Sequence, residues 1–257
     1  MQRNDHIYAI PSYNRVTRQA TVNYLHSIGV PRDRIVVYVQ TEGDFKAYTD
    51  MIGDISVVKY APAKRGVEAR NNILRGEAAS DIVMLDDDVR AIGMFTGAEV
   101  RKIEDVDQMD GVFEKCFATC RKADASFFGV YPVYNDFYME RTISTKAPVN
   151  TVFGFPSGIT LRYNEEYDTK EDAELCARVL RRGGRILRFN FLAVDADHRK
   201  TKDGYIDDWH QEENMRCVRR LALEYPDVYK PQTRKPWEVR CLIKDKKIKI
   251  GGDRYDH

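Results

Sequence analysis

Cysteine is scarce, and none of it is paired in sequence: Cys116, Cys120, Cys176, Cys217 and Cys241 form no CxxC spacing. Their odd number and scattered positions exclude a disulfide framework and a zinc ribbon. They predict reduced thiols in a cytoplasm, each acting as a small apolar side chain in the core. Long apolar runs are lacking too. No stretch approaches the about 18 residues that a membrane span needs, and Met1-Gln2-Arg3-Asn4-Asp5 is no apolar leader, so a cytoplasmic protein is expected. Walker A, GxGxxG and HExxH patterns are absent, leaving ATPase, dehydrogenase and zinc-protease chemistry without support. With no repeat, low-complexity tract or Ser/Gly linker, one domain over residues 1–257 is the default.

A net excess of charge is also missing, since 41 Lys+Arg meet 40 Asp+Glu. The average hides an asymmetry. From Ala177 to His257 there are 20 Lys+Arg against 13 Asp+Glu, so the last third is basic and the rest acidic. Its clusters include Arg181-Arg182, Arg199 to Lys202, Arg219-Arg220, Lys230 to Lys235 and Lys244 to Lys249, interleaved with Trp209, Tyr225, Tyr229 and Trp237. Such a surface suits a polyanionic partner, although basic faces are often merely solvated.

What is present is an α/β alternation. Apolar, strand-like runs occur at Ile7–Ile10, Ile35–Val39, Ile55–Val58 and Ile82–Leu85, with helical stretches at about 17–28, 45–52 and 67–77 between them. Strands separated by helices imply right-handed crossovers and a doubly wound sheet, with a ligand crevice at the carboxyl ends of the strands. Further helices are expected at 107–122, 169–182 and 211–225, and strands at Phe127–Tyr131, Gly158–Leu161 and Ile186–Phe189. Residues 134–150 have no clear period and carry Tyr134, Phe137 and Tyr138; a mobile substrate loop would fit there.

Two polar groups fall at the carboxyl ends: Pro11-Ser12-Tyr13-Asn14 and Asp86-Asp87-Asp88. Along extended chain, Asp86 and Asp88 share a side while Asp87 points away. Paired carboxylates repel unless a cation sits between them, and their hard oxygens suit Mg2+ or Mn2+. A solvated acidic turn is the plainer alternative.

In order, Ile10-Pro11-Ser12-Tyr13-Asn14-Arg15, Gly66-Val67-Glu68-Ala69-Arg70-Asn71 and Leu85-Asp86-Asp87-Asp88 resemble the motif series of GT-A glycosyltransferases. More narrowly, the set resembles the phage TET-associated glycosyltransferases, which modify hydroxymethylated cytosine in DNA. The resemblance covers residues 6–90 and extends loosely to His198. It implies a GT-A-like, Rossmann-like α/β fold with a doubly wound mixed sheet. Residues 1–90 would form the nucleotide-sugar half, and residues 91–257 a less regular acceptor half. Pro11, Ser12 and Tyr13 would line the nucleotide base and ribose. Arg15, Asp86 and Asp87 would also face the donor, and Arg70 would contact the diphosphate or brace the acidic cluster. Asp86, Asp88 and the late His198 would hold Mn2+ or Mg2+. Asp172, ahead of Glu171, would be the catalytic base, although Thr169-Lys170-Glu171-Asp172 is also an ordinary helix start. Ser157, Gly158 and Trp209 would lie on the acceptor side. The implied reaction moves a hexosyl or pentosyl group from a nucleotide sugar, by family preference UDP-linked, to a hydroxyl on phage DNA; sugar and oligomeric state stay open.

Three rivals stand beside this. A saccharide or protein could replace DNA as acceptor. A nucleotidyltransferase would share the fold but needs a glycine-rich loop where this chain has Pro11-Ser12-Tyr13-Asn14. A non-enzymatic nucleic-acid-binding protein would leave the Asp triplet idle.

Overall fold

Side chains of the opening strand, β1 (Ile7–Ser12), alternate between two apolar cores: Tyr8 and Ile10 face one, Ala9 the other. That two-residue period means helices must cover both faces of the sheet. The structure is a computed structural model that describes residues 6–145, 152–196 and 208–249. After β1 come α1 (Ala20–Ser27), β2 (Ile35–Val39), α2 (Glu42–Ile52), β3 (Val57–Tyr60), α3 (Gly66–Gly76) and β4 (Ile82–Leu85). The chain continues with β5 (Val89–Phe95), β6 (Val100–Lys102), α4 (Val106–Lys122), β7 (Ala125–Tyr131), β8 (Thr142–Ser144) and β9 (Val152–Phe155). It ends with α5 (Glu171–Arg181), β10 (Arg185–Ala196), α6 (Asp208–Glu224), β11 (Tyr229–Pro231), β12 (Val239–Cys241) and β13 (Lys247–Lys249).

The main sheet runs β13-β8-β10-β7-β9-β4-β1-β2-β3, with β5 pairing the far half of β10 and β6 pairing β5. β3, β2, β1 and β4 are mutually parallel, as expected of the opening half. β9 then enters antiparallel to both β4 and β7, making the sheet mixed. One core gathers side chains of α1, α2 and α4; the other gathers those of α3 and α5. A third, smaller cluster packs α6 and β11 on the outer side of α5.

Several sequence expectations shift. The helix expected from residue 17 starts only at Ala20, after a 3-10 turn over Val16–Arg18. Gly158–Leu161 is not a strand. Gly158 sits in a turn at φ 82°, open to glycine far more readily than to other residues. The strand lies earlier, at Val152–Phe155, where Gly154 hides it from a propensity reading. The glycine is required there, because a Cβ would lie 1.9 Å from Cζ of Phe128. Residues 134–145 carry an ordered turn and β8 rather than a featureless loop, and residues 146–151 lie outside the described ones. Of the cysteines, four are buried and Cys241 is partly exposed, all with free thiols. Among the described residues no helix is long and apolar enough to cross a membrane.

At the amino end of β1, a buried network ties the sheet to α4. Arg34 donates to both oxygens of Asp110 at 2.7 Å, and His6 Nε2 lies 2.8 Å from the Tyr8 hydroxyl. Burial, with the Arg34 charge beside it, pushes the His6 imidazole down to about 4, so it stays neutral at ordinary pH.

Candidate active site

The carboxyl end of β4 opens directly into a tight turn, Asp86 to Asp88, which β5 leaves in the reverse direction. The period of the strand carries into this turn: Asp87 is buried, while Asp86 and Asp88 are partly exposed. Asp87 is thereby turned away from the donor side expected for it, into the layer beneath β1. There Ser12 Oγ donates to Asp87 Oδ2 at 2.6 Å and Arg15 Nη1 to Oδ1 at 2.8 Å. Burial raises the Asp87 pKa, opposed by the Ser12 hydrogen bond and the Arg15 charge. Both oxygens are engaged, so Asp87 braces the turn.

Ser12 is itself held by partners the sequence did not signal. The Tyr48 hydroxyl of α2 lies 2.8 Å from Ser12 Oγ, and Gln19 Nε2 donates to the same oxygen at 3.0 Å. Gln19 also donates to the Arg15 carbonyl at 2.9 Å, closing the segment between β1 and α1. Thr21 secures the acidic turn from α1: its hydroxyl donates to the Asp86 carbonyl at 2.5 Å and accepts from the Val89 amide at 2.9 Å. Ser12 and Arg15, expected against the donor, therefore hold the backbone and Asp87. Tyr13 lies between them and is 48% exposed, and Pro11 is partly exposed in register with Tyr38.

Asp86 faces the opposite layer, where α3 and α5 converge. Arg70 Nη2 reaches Asp86 Oδ1 at 2.6 Å, and its Nε reaches Glu171 Oε1 at 3.4 Å. One guanidinium thus joins the acidic turn to the first residue of α5. Asn71 fixes the approach of that helix: its side chain accepts from the Tyr163 amide at 2.8 Å and donates to the Tyr163 carbonyl at 3.1 Å. Burial is the largest influence on Glu171 and pushes its carboxyl up to about 7, with Arg70 pulling down and Asp172 pushing up. Asp172 is raised by the same desolvation, opposed by Lys170. Two adjacent carboxyls of this kind titrate as a coupled pair, and an upward shift brings a carboxyl toward the range in which a general base works best.

Two acceptor-side expectations fail on strand direction. Because β9 runs antiparallel to β4, Phe155 pairs with Ile82 at the amino end of β4. The turn that follows is carried to the opposite end of the strands, beside the amino end of β4. There the Ser157 amide donates to Asp81 Oδ1 at 2.8 Å and the Gly158 amide to the Ala78 carbonyl at 2.8 Å. Ser157 and Gly158 therefore lie a strand length from Asp86. Trp209 falls in the first turn of α6, and its side chain and His198 both lie outside the described residues. Part of the basic excess is also neutralised internally: Arg216 pairs with Glu213, and Arg220 with Glu224 and Glu166. No cluster of three metal-ligating side chains is assembled among the described residues.

Among solved structures, the chain is similar in fold to a mannosyltransferase from Pyrobaculum calidifontis in complex with GDP-Man and Mn2+. The TM-score is 0.55 at 13% identity, over 91% of this chain and 67% of that one. Weaker matches are a CMP:2-keto-3-deoxy-manno-octonic acid synthetase complexed with CTP (TM-score 0.44, 12% identity, 87% of this chain, 100% of that one) and a cytidylyltransferase from Leptospira borgpetersenii (TM-score 0.45, 11%, 87% and 95%). No curated protein matches the chain significantly. The profile of the TET-associated glycosyltransferases matches residues 6–204, spanning β1, the acidic turn, Arg70 and the start of α5, and the chain belongs to that family.

Proposed function

We propose that this glycosyltransferase moves a sugar from a nucleotide sugar to the hydroxyl of a hydroxymethylated pyrimidine in DNA, with a divalent cation in the donor site. The observation that carries the reading is the Arg70 bridge, which holds Asp86 of the acidic turn and Glu171 at the start of α5 on one guanidinium.

The donor set fits a hard cation. Asp86 and Asp88 are partly exposed from a single turn, with Oδ1 of Asp88 itself buried, and carboxylate oxygens are what Mg2+ or Mn2+ prefers. The third ligand proposed is His198. Ala196, the last described residue before it, pairs with Val89, next to Asp88. A bound cation would offset charge developing on the departing diphosphate. Pro11 and Tyr13 are proposed to receive the nucleotide base, a uracil by family preference. Glu171 or Asp172, with Asp172 favoured, accepts the proton of the attacking hydroxyl. Attack from the face opposite the leaving group would invert the anomeric carbon.

DNA as acceptor is supported by the family and by the basic C-terminal third. The test measures nucleotide release from a panel of nucleotide sugars with Mn2+, with and without hydroxymethylcytosine-containing DNA, beside Asp88→Ala. Release that needs metal, rises with the modified DNA and disappears in Asp88→Ala is expected. Release indifferent to DNA would send the acceptor search to saccharides and proteins; none under any condition would overturn the donor site.

A further inference from the structure

A base inside a duplex cannot reach a buried carboxylate pair, so an enzyme acting on it must take the nucleotide out of the stack. A rigid apolar element beside the site can hold the stack open while the base is out. The register of β9 locates one. Phe153 lies opposite Met84 of β4 on one side and Gly129 of β7 on the other. Since β4 and β7 both run antiparallel to β9, Tyr131 ends β7 level with Asp86, two strand spacings away, or about 9–10 Å. The turn after β7 therefore leaves the sheet on the same edge as the acidic turn.

Both ends of this turn are anchored. Tyr134 lies against Gly93 of β5, where a Cβ would come within 2.4 Å of its ring. Met139 is 4% exposed. Between them the backbone holds itself: the Phe137 amide donates to Asn135 Oδ1 at 3.0 Å and the Tyr138 amide to the Asn135 carbonyl at 3.1 Å. On this scaffold Phe137 is 82% and Tyr138 56% exposed, their rings edge to face at 5.0 Å. Among the described residues Phe137 is the most exposed large apolar side chain. Neither ring is needed to hold the turn, and aromatic faces presented on a fixed backbone are what unstacked bases pack against. Lys102 on neighbouring β6 is exposed and would supply a cation for the phosphates, with Arg101 beside it in an exposed ion pair to Glu99.

We propose that Phe137 and Tyr138 form the acceptor wedge, inserting into the DNA stack at the position vacated by the hydroxymethylated base as it turns toward Glu171 and Asp172. The inference rests on the DNA-acceptor reading above. Its test compares kcat/KM on a paired duplex with kcat/KM on the same oligonucleotide carrying the target base unpaired, for wild type, Phe137→Ala/Tyr138→Ala and Phe137→Trp. The double variant should lose roughly 10- to 100-fold on the duplex, recover most of it on the unpaired substrate, and keep the wild-type Tm. Phe137→Trp should retain duplex activity. Equal turnover of duplex by wild type and double variant, or an equal loss on both substrates, overturns the wedge and leaves the acceptor assignment standing. A wild type that ignores modified DNA in every form overturns the acceptor assignment itself. Loss of a wild-type dimer in the double variant, with DNA turnover unchanged, would assign the tip to self-association instead.

Discussion

Replacing Arg70 with Met should expose the electrostatic frame of the site. The side chain is 17% exposed and bridges Asp86 and Glu171, whose side chains are 28% and 19% exposed. Methionine keeps much of the apolar stem and removes only the charge and its donors. Breaking a buried ion pair from one side costs about 3–5 kcal/mol, whereas exposed pairs are worth about 0–1 kcal/mol. These three groups lie between those limits, so a loss of about 2 kcal/mol is expected once both carboxylates are ionised. It should show as a lower urea midpoint with an unchanged slope. The pH dependence gives the sharper check. Without the guanidinium, the folded-state pKa of Glu171 rises further, so the variant takes up protons where the wild type does not. Its deficit is then full above the variant's own, higher Glu171 pKa and shrinks as pH falls from there to the wild-type value of about 7. Arg70→Lys, with one nitrogen for two partners, should recover only part of the loss. A deficit that is the same at about pH 8.5 and about pH 5.5, or one below about 0.5 kcal/mol, would show that the bridge does not hold the site together.

Two further outcomes follow from the geometry. The kcat/KM for transfer should rise with pH toward a plateau above about 7, because a carboxyl raised by burial is protonated and idle below that value. In Glu171→Gln the limb should move to lower pH if Asp172 is the base; a profile flat across neutrality in the wild type would remove both from that role. Gly154→Ala should cost about 2–3 kcal/mol or more by overpacking, since its Cβ falls 1.9 Å from the Phe128 ring. Thermal melting would show the loss, Phe128→Leu should restore part of it, and an unchanged Tm would mean the ring moves aside freely.

The first half of the fold was legible because its signals are local. Ile35–Val39 and Ile82–Leu85 are uninterrupted apolar runs and became β2 and β4, and the alternation Asp86, Asp87, Asp88 predicted which carboxylate turns inward. Arg70 was legible as a brace of the acidic cluster. Its second partner was not, since nothing in sequence says that the start of α5 lies over α3. Direction was likewise invisible. Ile159 and Leu161 supply strand-like alternation beside a glycine turn, and only the antiparallel pairing of β9 shows that Ser157 and Gly158 end at Asp81. Gln19, Thr21 and Tyr48 carry no motif; Thr21 and Tyr48 act through hydrogen bonds to groups far away in the chain, and Gln19 through two that close the segment between β1 and α1.

The far edge of the sheet has a bearing on how the chain is made. β8 is flanked by β10 and β13, both synthesised after it, and β13 supplies its outer neighbour only at residues 247–249. A nascent chain folding from its amino end thus carries β8 with unpaired backbone groups for more than a hundred codons. Exposed strand edges invite pairing with other chains. The brevity of β8, three residues, keeps that template short during the interval when the growing chain cannot yet cover it.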